Sequence, residues 1–287
     1  MEIKNLNETR SVVEKKEPDT SISAPEQTPE LLPQGEEVEV FLPSNGKVYP
    51  NKICIRPWKV KEIKQLSSAN KNNISTVLNT IMRESVRASV PLNDMTTGDE
   101  IFLYMWQRIN SLGEVMDVSA ECPLCREMAT LSFHLDELQV TSLPDDFEEP
   151  MIMDLKKSKH KVTLRLSRKS DTDLADQYAH GVRKKDEGVI MLATIAATIL
   201  EIDGKPVQSM HEKVTWLESL PPHPDFMALQ GVQELFAHGH NLNEAPYSCS
   251  MCGGSDVMML PFRSEFFMST SQNRDIARDA ILSHKRN

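Results

Sequence analysis

Apolar and polar residues follow two rhythms along this chain, and the switches between them mark out the elements. Val38-Glu39-Val40-Phe41-Leu42 has the period of two expected of a half-buried strand. Asn45-Gly46 is a turn signal, leading through Val48-Tyr49 to a returning strand at Ile53-Cys54-Ile55. Trp58, Ile63 and Leu66 predict a short helix. Ile74, Val77, Leu78, Ile81 and Val86 keep close to helical spacing and predict a second, over about 73–88. Thr97-Gly98-Asp99-Glu100 reads as a capping box, Thr97 and Glu100 satisfying each other's free amides. The helix it opens puts Ile101, Tyr104, Met105, Arg108, Ile109 and Leu112 on one broad face and stops at Gly113. An arginine on such a face is expected to snorkel to water or to meet a carboxylate.

After Gly113 the period returns to two, from Val115 to Ala120, and this strand runs into Cys122-Pro123-Leu124-Cys125. Met128 to Phe133 predicts the strand that leaves. A connector over Leu135 to Val140 and a polar break at Pro144-Asp145-Asp146 follow. Met151 to Leu155 and Lys161 to Leu166 predict a hairpin around Lys156-Lys157-Ser158-Lys159-His160. Helices are expected over 171–182 and, nearly apolar all round, over 188–202. Asp203-Gly204-Lys205-Pro206 is a tight turn, and Ser209 with Glu212 forms a second capping box opening a helix through Val214 and Leu217. Past Pro221 to Pro224, Phe226, Leu229, Val232, Leu235 and Phe236 mark a further helix, closed near Gly239. Tyr247 leads into Cys249-Ser250-Met251-Cys252, and Val257 to Leu260 predicts the strand leaving it. The last stretch, with Phe266, Phe267 and a helical pattern from Arg274 to Leu282, is expected to pack back on the body, an arm to a neighbouring subunit being the alternative.

Composition narrows the classes. A chain of 287 residues holds one large domain or two smaller ones, and 39% apolar with 26% charged residues is ordinary for a globular protein. A formal net charge of −10 argues against a general nucleic-acid binder, whose affinity rests on Lys and Arg against phosphate. Residues 1–37, rich in Glu, Pro, Ser, Thr and Lys, read as a disordered acidic leader. No apolar run has the length of a membrane span, and Met1-Glu2-Ile3-Lys4-Asn5-Leu6 lacks the apolar core of a signal peptide. The expected compartment therefore keeps thiols reduced, where Cys-x-x-Cys binds metal more readily than it forms disulfides. Cys54, the fifth cysteine, reads as a small buried hydrophobe.

Two Cys-x-x-Cys pairs, each between two strands, predict one shared structural zinc site on Cys122, Cys125, Cys249 and Cys252. Between the pairs lie 123 residues. Closing such a loop costs on the order of 4 kcal/mol plus a constant, whereas zinc binding in small fingers is worth roughly 10–16 kcal/mol near neutral pH, so the metal prevails. A redox dithiol would open a helix in a βαβ setting, which neither pair does, and nothing in the spacing favours an iron–sulfur cluster. Catalytic sets are missing from the sequence. His238-Gly239-His240 reads as a solvated helix end, and the basic hairpin with Arg165 and Arg168 lacks the stacking aromatics of a nucleic-acid platform, so solvated edge lysines are the better reading.

Phe41 to Pro50, the 97–113 helix with Asp99, Leu103, Arg108 and Gly113 leading into Cys122-Pro123-Leu124-Cys125, and the late Cys249-Ser250-Met251-Cys252 with Phe266-Phe267 together resemble the baseplate proteins of T-even-type contractile bacteriophages, specifically the central hub subunit group. The resemblance spans roughly 38–268. It implies a non-enzymatic structural or assembly protein of a phage tail baseplate hub, present in the cytoplasm of the infected host during assembly or in the virion tail. Its partners would be other hub and tail proteins, with no small-molecule substrate and with homo-oligomerisation left open. A zinc-ribbon adaptor for nucleic acid or transcription machinery is the alternative. The expected fold class is α+β: a helical N-terminal part and a small β-rich, four-cysteine zinc-ribbon-like module, with a long, mostly helical insertion between its two knuckles. The expected divisions are the leader 1–37, a β-hairpin and helical region 38–113, first knuckle strands 114–143, a hairpin and helical insertion 144–242, second knuckle strands 243–268, and a C-terminal helix or tail 269–287.

Overall fold

A computed structural model describes residues 37–69, 73–182, 187–260 and 266. The expected leader through residue 36 and the expected terminal helix lie outside the described residues. Among those described, seven helices and four small antiparallel sheets alternate along the chain.

The first hairpin pairs β1 (Val38–Phe41) with β2 (Lys52–Ile55), as alternation predicts. Cys54 on β2 is half-buried, because its neighbours Ile53 and Ile55 take the core face. Helices α1 (Val60–Ser67) and α2 (Ile74–Ser85) follow. The second is shorter than its periodicity predicts. Val86–Arg87 leaves the helix as β3 and pairs with β2, where a β-branched residue fits the sheet. Arg56 and Glu62 fasten the start of α1 to this sheet through a buried two-pronged bond of 2.7 and 2.9 Å. Burial pushes the Glu62 carboxyl up, but the Arg56 guanidinium and the Lys59 amide together outweigh it and hold Glu62 below the usual carboxylate range.

Helix α3 (Thr97–Leu112) is the axis of this part, with Leu103 and Met105 fully buried. Its cap is one residue earlier than expected. Thr96, not Thr97, accepts the Asp99 amide at 3.2 Å, and Glu100 instead accepts the Tyr104 hydroxyl. Arg108 also departs from expectation: it is fully buried and meets no carboxylate among the described residues. Its guanidinium donates to the carbonyls of Phe266, Gly113 and Val115 at 2.9, 2.7 and 3.3 Å, and burial alone brings its pKa down to about 10.

Strands β4 (Val115–Glu121) and β5 (Met128–His134) then form a long hairpin, and β6 (Val140–Thr141) ends this half of the chain. The excursion that follows contains β7 (Met151–Asp154), β8 (Lys161–Leu164), α4 (Lys169–Gly181), α5 (Glu187–Thr198), β9 (Ile199–Ile202), β10 (Lys205–Pro206), α6 (Met210–Ser219) and α7 (Met227–Leu235). The apolar run expected as one helix over 188–202 divides at Thr198, and Ile199–Ile202 becomes a strand between β8 and β10. A continuous apolar run fits a buried strand as well as a buried helix. This lobe has its own core of Leu155, Val162, Leu164, Ile195, Ile199, Leu217, Leu229 and Val232.

The chain returns at β11 (Gly239–His240), which pairs with β6, and closes with β12 (Ala245–Cys249) and β13 (Ser255–Met258). The final sheet has the order β13-β12-β5-β4, so β12 lies beside a strand made more than a hundred residues earlier. Its inward face, with Met116, Leu131, Phe133 and Tyr247, packs into the core that also holds α3.

Candidate metal centre

The two turns at the tip of the last sheet have the same backbone plan. In the first, the Cys122 amide donates to the Glu127 carbonyl at 2.9 Å and the Arg126 amide to the Cys122 carbonyl at 2.8 Å. In the second, the Cys249 amide donates to Gly254 and the Gly253 amide to Cys249, both at 2.9 Å. The fourth residue after each leading cysteine is left-handed, Arg126 at φ 64° and Gly253 at φ 66°. Glycine adopts that conformation freely and arginine at a cost. Such a turn brings amides round toward the sulfurs. The amides of Cys125 and Leu124 hold the Cys122 thiol down to about 7. At Cys125 the Glu127 amide acts in the same direction, but burial and the neighbouring thiols outweigh it and push the thiol up to about 11.

Pairing of β12 with β5 brings the two turns together. The Sγ atoms of Cys122, Cys125, Cys249 and Cys252 all lie within 4.8 Å of one another, and Cys125 and Cys249 are 4.0 Å apart. None is in a disulfide. A tetrahedron with metal–sulfur bonds of about 2.3 Å needs sulfurs roughly 3.8 Å apart, so the four fit a thiophilic ion with small adjustments. All four cysteines singled out by spacing are therefore brought to one place and could hold a metal. Leu124 packs over the second turn, where a Cβ on Gly254 would come 2.8 Å from its Cδ1.

Two features of this region escape sequence reasoning. Tyr247, two residues before Cys249 on the same inward face, has its ring tilted against Phe133 at 5.9 Å and is 2% exposed, yet its hydroxyl meets no nitrogen or oxygen partner. The second lies at the start of α3. Asp99, fully buried, accepts the Ser44 amide at 2.9 Å and the Tyr49 hydroxyl at 2.5 Å, while Thr96 Oγ1 meets His238 Nε2 at 2.7 Å. Burial first, and then Asp99, push the Tyr49 phenol far above its usual value. The Pro43–Pro50 stretch is thus a strap tied to the helix that leads to the first cysteines. His238-Gly239-His240, expected as a solvated end, is packed instead. His238 has a side-chain exposure of 5%, and His240 stacks on Phe102 at 5.4 Å with its pKa lowered to about 4 by burial. Tertiary packing on α3, which no local pattern encodes, makes the difference.

The basic hairpin turn is closed from within. The amides of Lys157 and Ser158 donate to Asp225 at 2.9 and 2.6 Å, and His160 pairs with Asp203 at 2.7 Å. Among the described residues, no helix is long and apolar enough to cross a membrane.

Comparison with protein families gives one finding. The family model described as T4 bacteriophage base plate protein matches residues 36–268, most of the chain. The match does not favour the nucleic-acid adaptor reading. No curated protein and no solved structure matches the chain.

Proposed function

Because the chain belongs to the family of T4 bacteriophage base plate proteins, we propose that this structural baseplate protein works in the hub of the tail baseplate, its shape held by a zinc ion on Cys122, Cys125, Cys249 and Cys252. The observation that carries the reading is the meeting of four sulfurs from two turns that 123 residues separate. Four thiolates fill a tetrahedral site, leaving no open position for water or substrate, so the ion would supply cross-linking and no reaction. It would join the strands of 114–143 to those of 243–268 and fix the 144–242 insertion between them in a zinc-ribbon-like module.

Other baseplate proteins are the partners such a role requires. Exposed apolar side chains at the tips of both turns, Leu124 at 49% and Met251 at 66%, support protein contacts rather than a purely solvated end. The reading implies assembly in the cytoplasm of the infected host and a place in the virion tail.

Two measurements test it. Elemental analysis of the purified chain is expected to give one zinc per molecule, lost in Cys122→Ser and Cys249→Ser. Co-expression with the other hub proteins of the same phage is expected to yield a complex that the cysteine variants fail to form. A zinc-free wild type would remove the staple, and a wild type that joins no hub protein would remove the hub role.

A further inference from the structure

The Tyr247 hydroxyl, two residues before Cys249, meets no nitrogen or oxygen partner among the described residues. A phenol buried to 2% with no such partner is costly to the folded chain, and such a group calls for an explanation in terms of something it serves. Strand geometry determines what it faces. In β12 the inward positions are Ala245, Tyr247 and Cys249, so Tyr247 and Cys249 share one face of one strand. Across the sheet, Tyr247 stands opposite Phe133 on one side and Asp256 on the other. Phe133 offers no acceptor. Asp256 already takes the Val257 amide on Oδ1 at 2.8 Å and is exposed. Beyond burial, the groups that act on the phenol are the Cys122 sulfur, both through its charge and as a hydrogen-bonding neighbour, then Asp256 and Cys249.

We infer that Tyr247 is a positioning residue of the metal centre, its hydroxyl donating an O–H···S bond to the Cys122 thiolate once a thiophilic cation is bound. This rests on the zinc reading and goes one shell further out. A thiol sulfur is a weak acceptor and a metal-bound thiolate a strong one. The same hydroxyl therefore has only a weak sulfur neighbour without metal and a full acceptor with it. Donors of this kind orient a ligand and tune its charge, and removing one costs about 10–100-fold in metal affinity.

The test uses the full chain, reduced and stripped of metal, titrated with Co(II) and with Zn(II) against a chromophoric chelator. Tyr247→Phe keeps the ring on Phe133 and deletes only the hydroxyl. Three results are expected together: affinity weaker by about 10–100-fold, a shifted sulfur-to-cobalt charge-transfer band, and a metal-free variant that melts at or above the metal-free wild type. A residue that merely fills space would lower affinity and metal-free stability in step and leave the band where it was. Wild-type affinity and an unshifted band in Tyr247→Phe would overturn the inference while leaving the zinc reading intact. A wild type that binds neither ion would overturn both.

Discussion

The cysteine-bearing sheet and the insertion lobe solve the same problem by opposite means. In the insertion, the neighbours β7 and β8 are a hairpin, and apolar side chains from Leu155 to Val232 meet within one stretch of chain. Such contacts form early and need little closure entropy. In the cysteine-bearing sheet, Tyr247 pairs with Phe133 and Cys249 with Leu131 across the whole excursion. The apolar face there is genuine, but the edge that joins the two chain segments is brief, with only three ladder positions of β12 against β5. Where partners are local, packing suffices. Where they are remote and the shared edge is brief, the chain places four thiols.

That contrast is most open to attack at the cysteines. Cys249→Ser, or stripping the protein with a chelator, is expected to lower the melting temperature by about 10 °C or more, as a loss of at least 4 kcal/mol would in a chain of this size. Hydrogen exchange should rise first in β12 and β13 while the core of the insertion keeps its protection. Uniform exchange across both regions would erase the distinction.

Next in size are substitutions that act by packing alone. Leu217→Ala, in the insertion core, is expected to cost about 2–5 kcal/mol in denaturant unfolding and to leave metal content unchanged. Gly239→Ala strikes the seam between the regions. A Cβ there would lie 2.5 Å from the Gly98 carbonyl, on backbone at φ 90°, and a cost of about 3 kcal/mol is expected.

The seam also predicts a pH dependence. Burial depresses His240 to about 4, below its ordinary value near 6.5, so the folded form stays neutral while the unfolded chain takes up a proton. The contribution is full above pH 6.5 and is lost as pH falls toward 4, amounting to about 2 kcal/mol once partial exposure is discounted. Replacing His240 by Phe, which can still stack on Phe102, should flatten unfolding free energy across that window. The smallest effect belongs to the turns themselves: Gly253→Ala should cost about 1 kcal/mol of holo stability. Arg126→Ala, at a position already filled by a residue with a Cβ, should cost almost nothing.

The meeting of the four cysteines was legible because each turn writes its pair at fixed local spacing. The α3 helix was legible from its stripe, and the first hairpin from Asn45-Gly46. What stayed hidden was set by distant chain. Thr96 rather than Thr97 caps α3 because Thr97 turns its hydroxyl to Ser167 at 3.2 Å. Arg108 could not be told from a snorkelling arginine, since its acceptors are carbonyls, one of them 158 residues away. The run ending at Ile202 reads as all helix until β8 takes its last four residues. Tyr247 looked like any strand residue, its meaning resting on an absent partner rather than on its own type.

The distance between the two turns also bears on synthesis. At a ribosomal rate of about 5–20 residues per second, Cys249 emerges roughly 6–25 s after Cys125. During that interval the first pair would offer a metal ion only two sulfurs. The insertion, meanwhile, has all its own contacts and can fold. Closure of the sheet is therefore a late event that waits for β12 to arrive beside β5, after the insertion has been made.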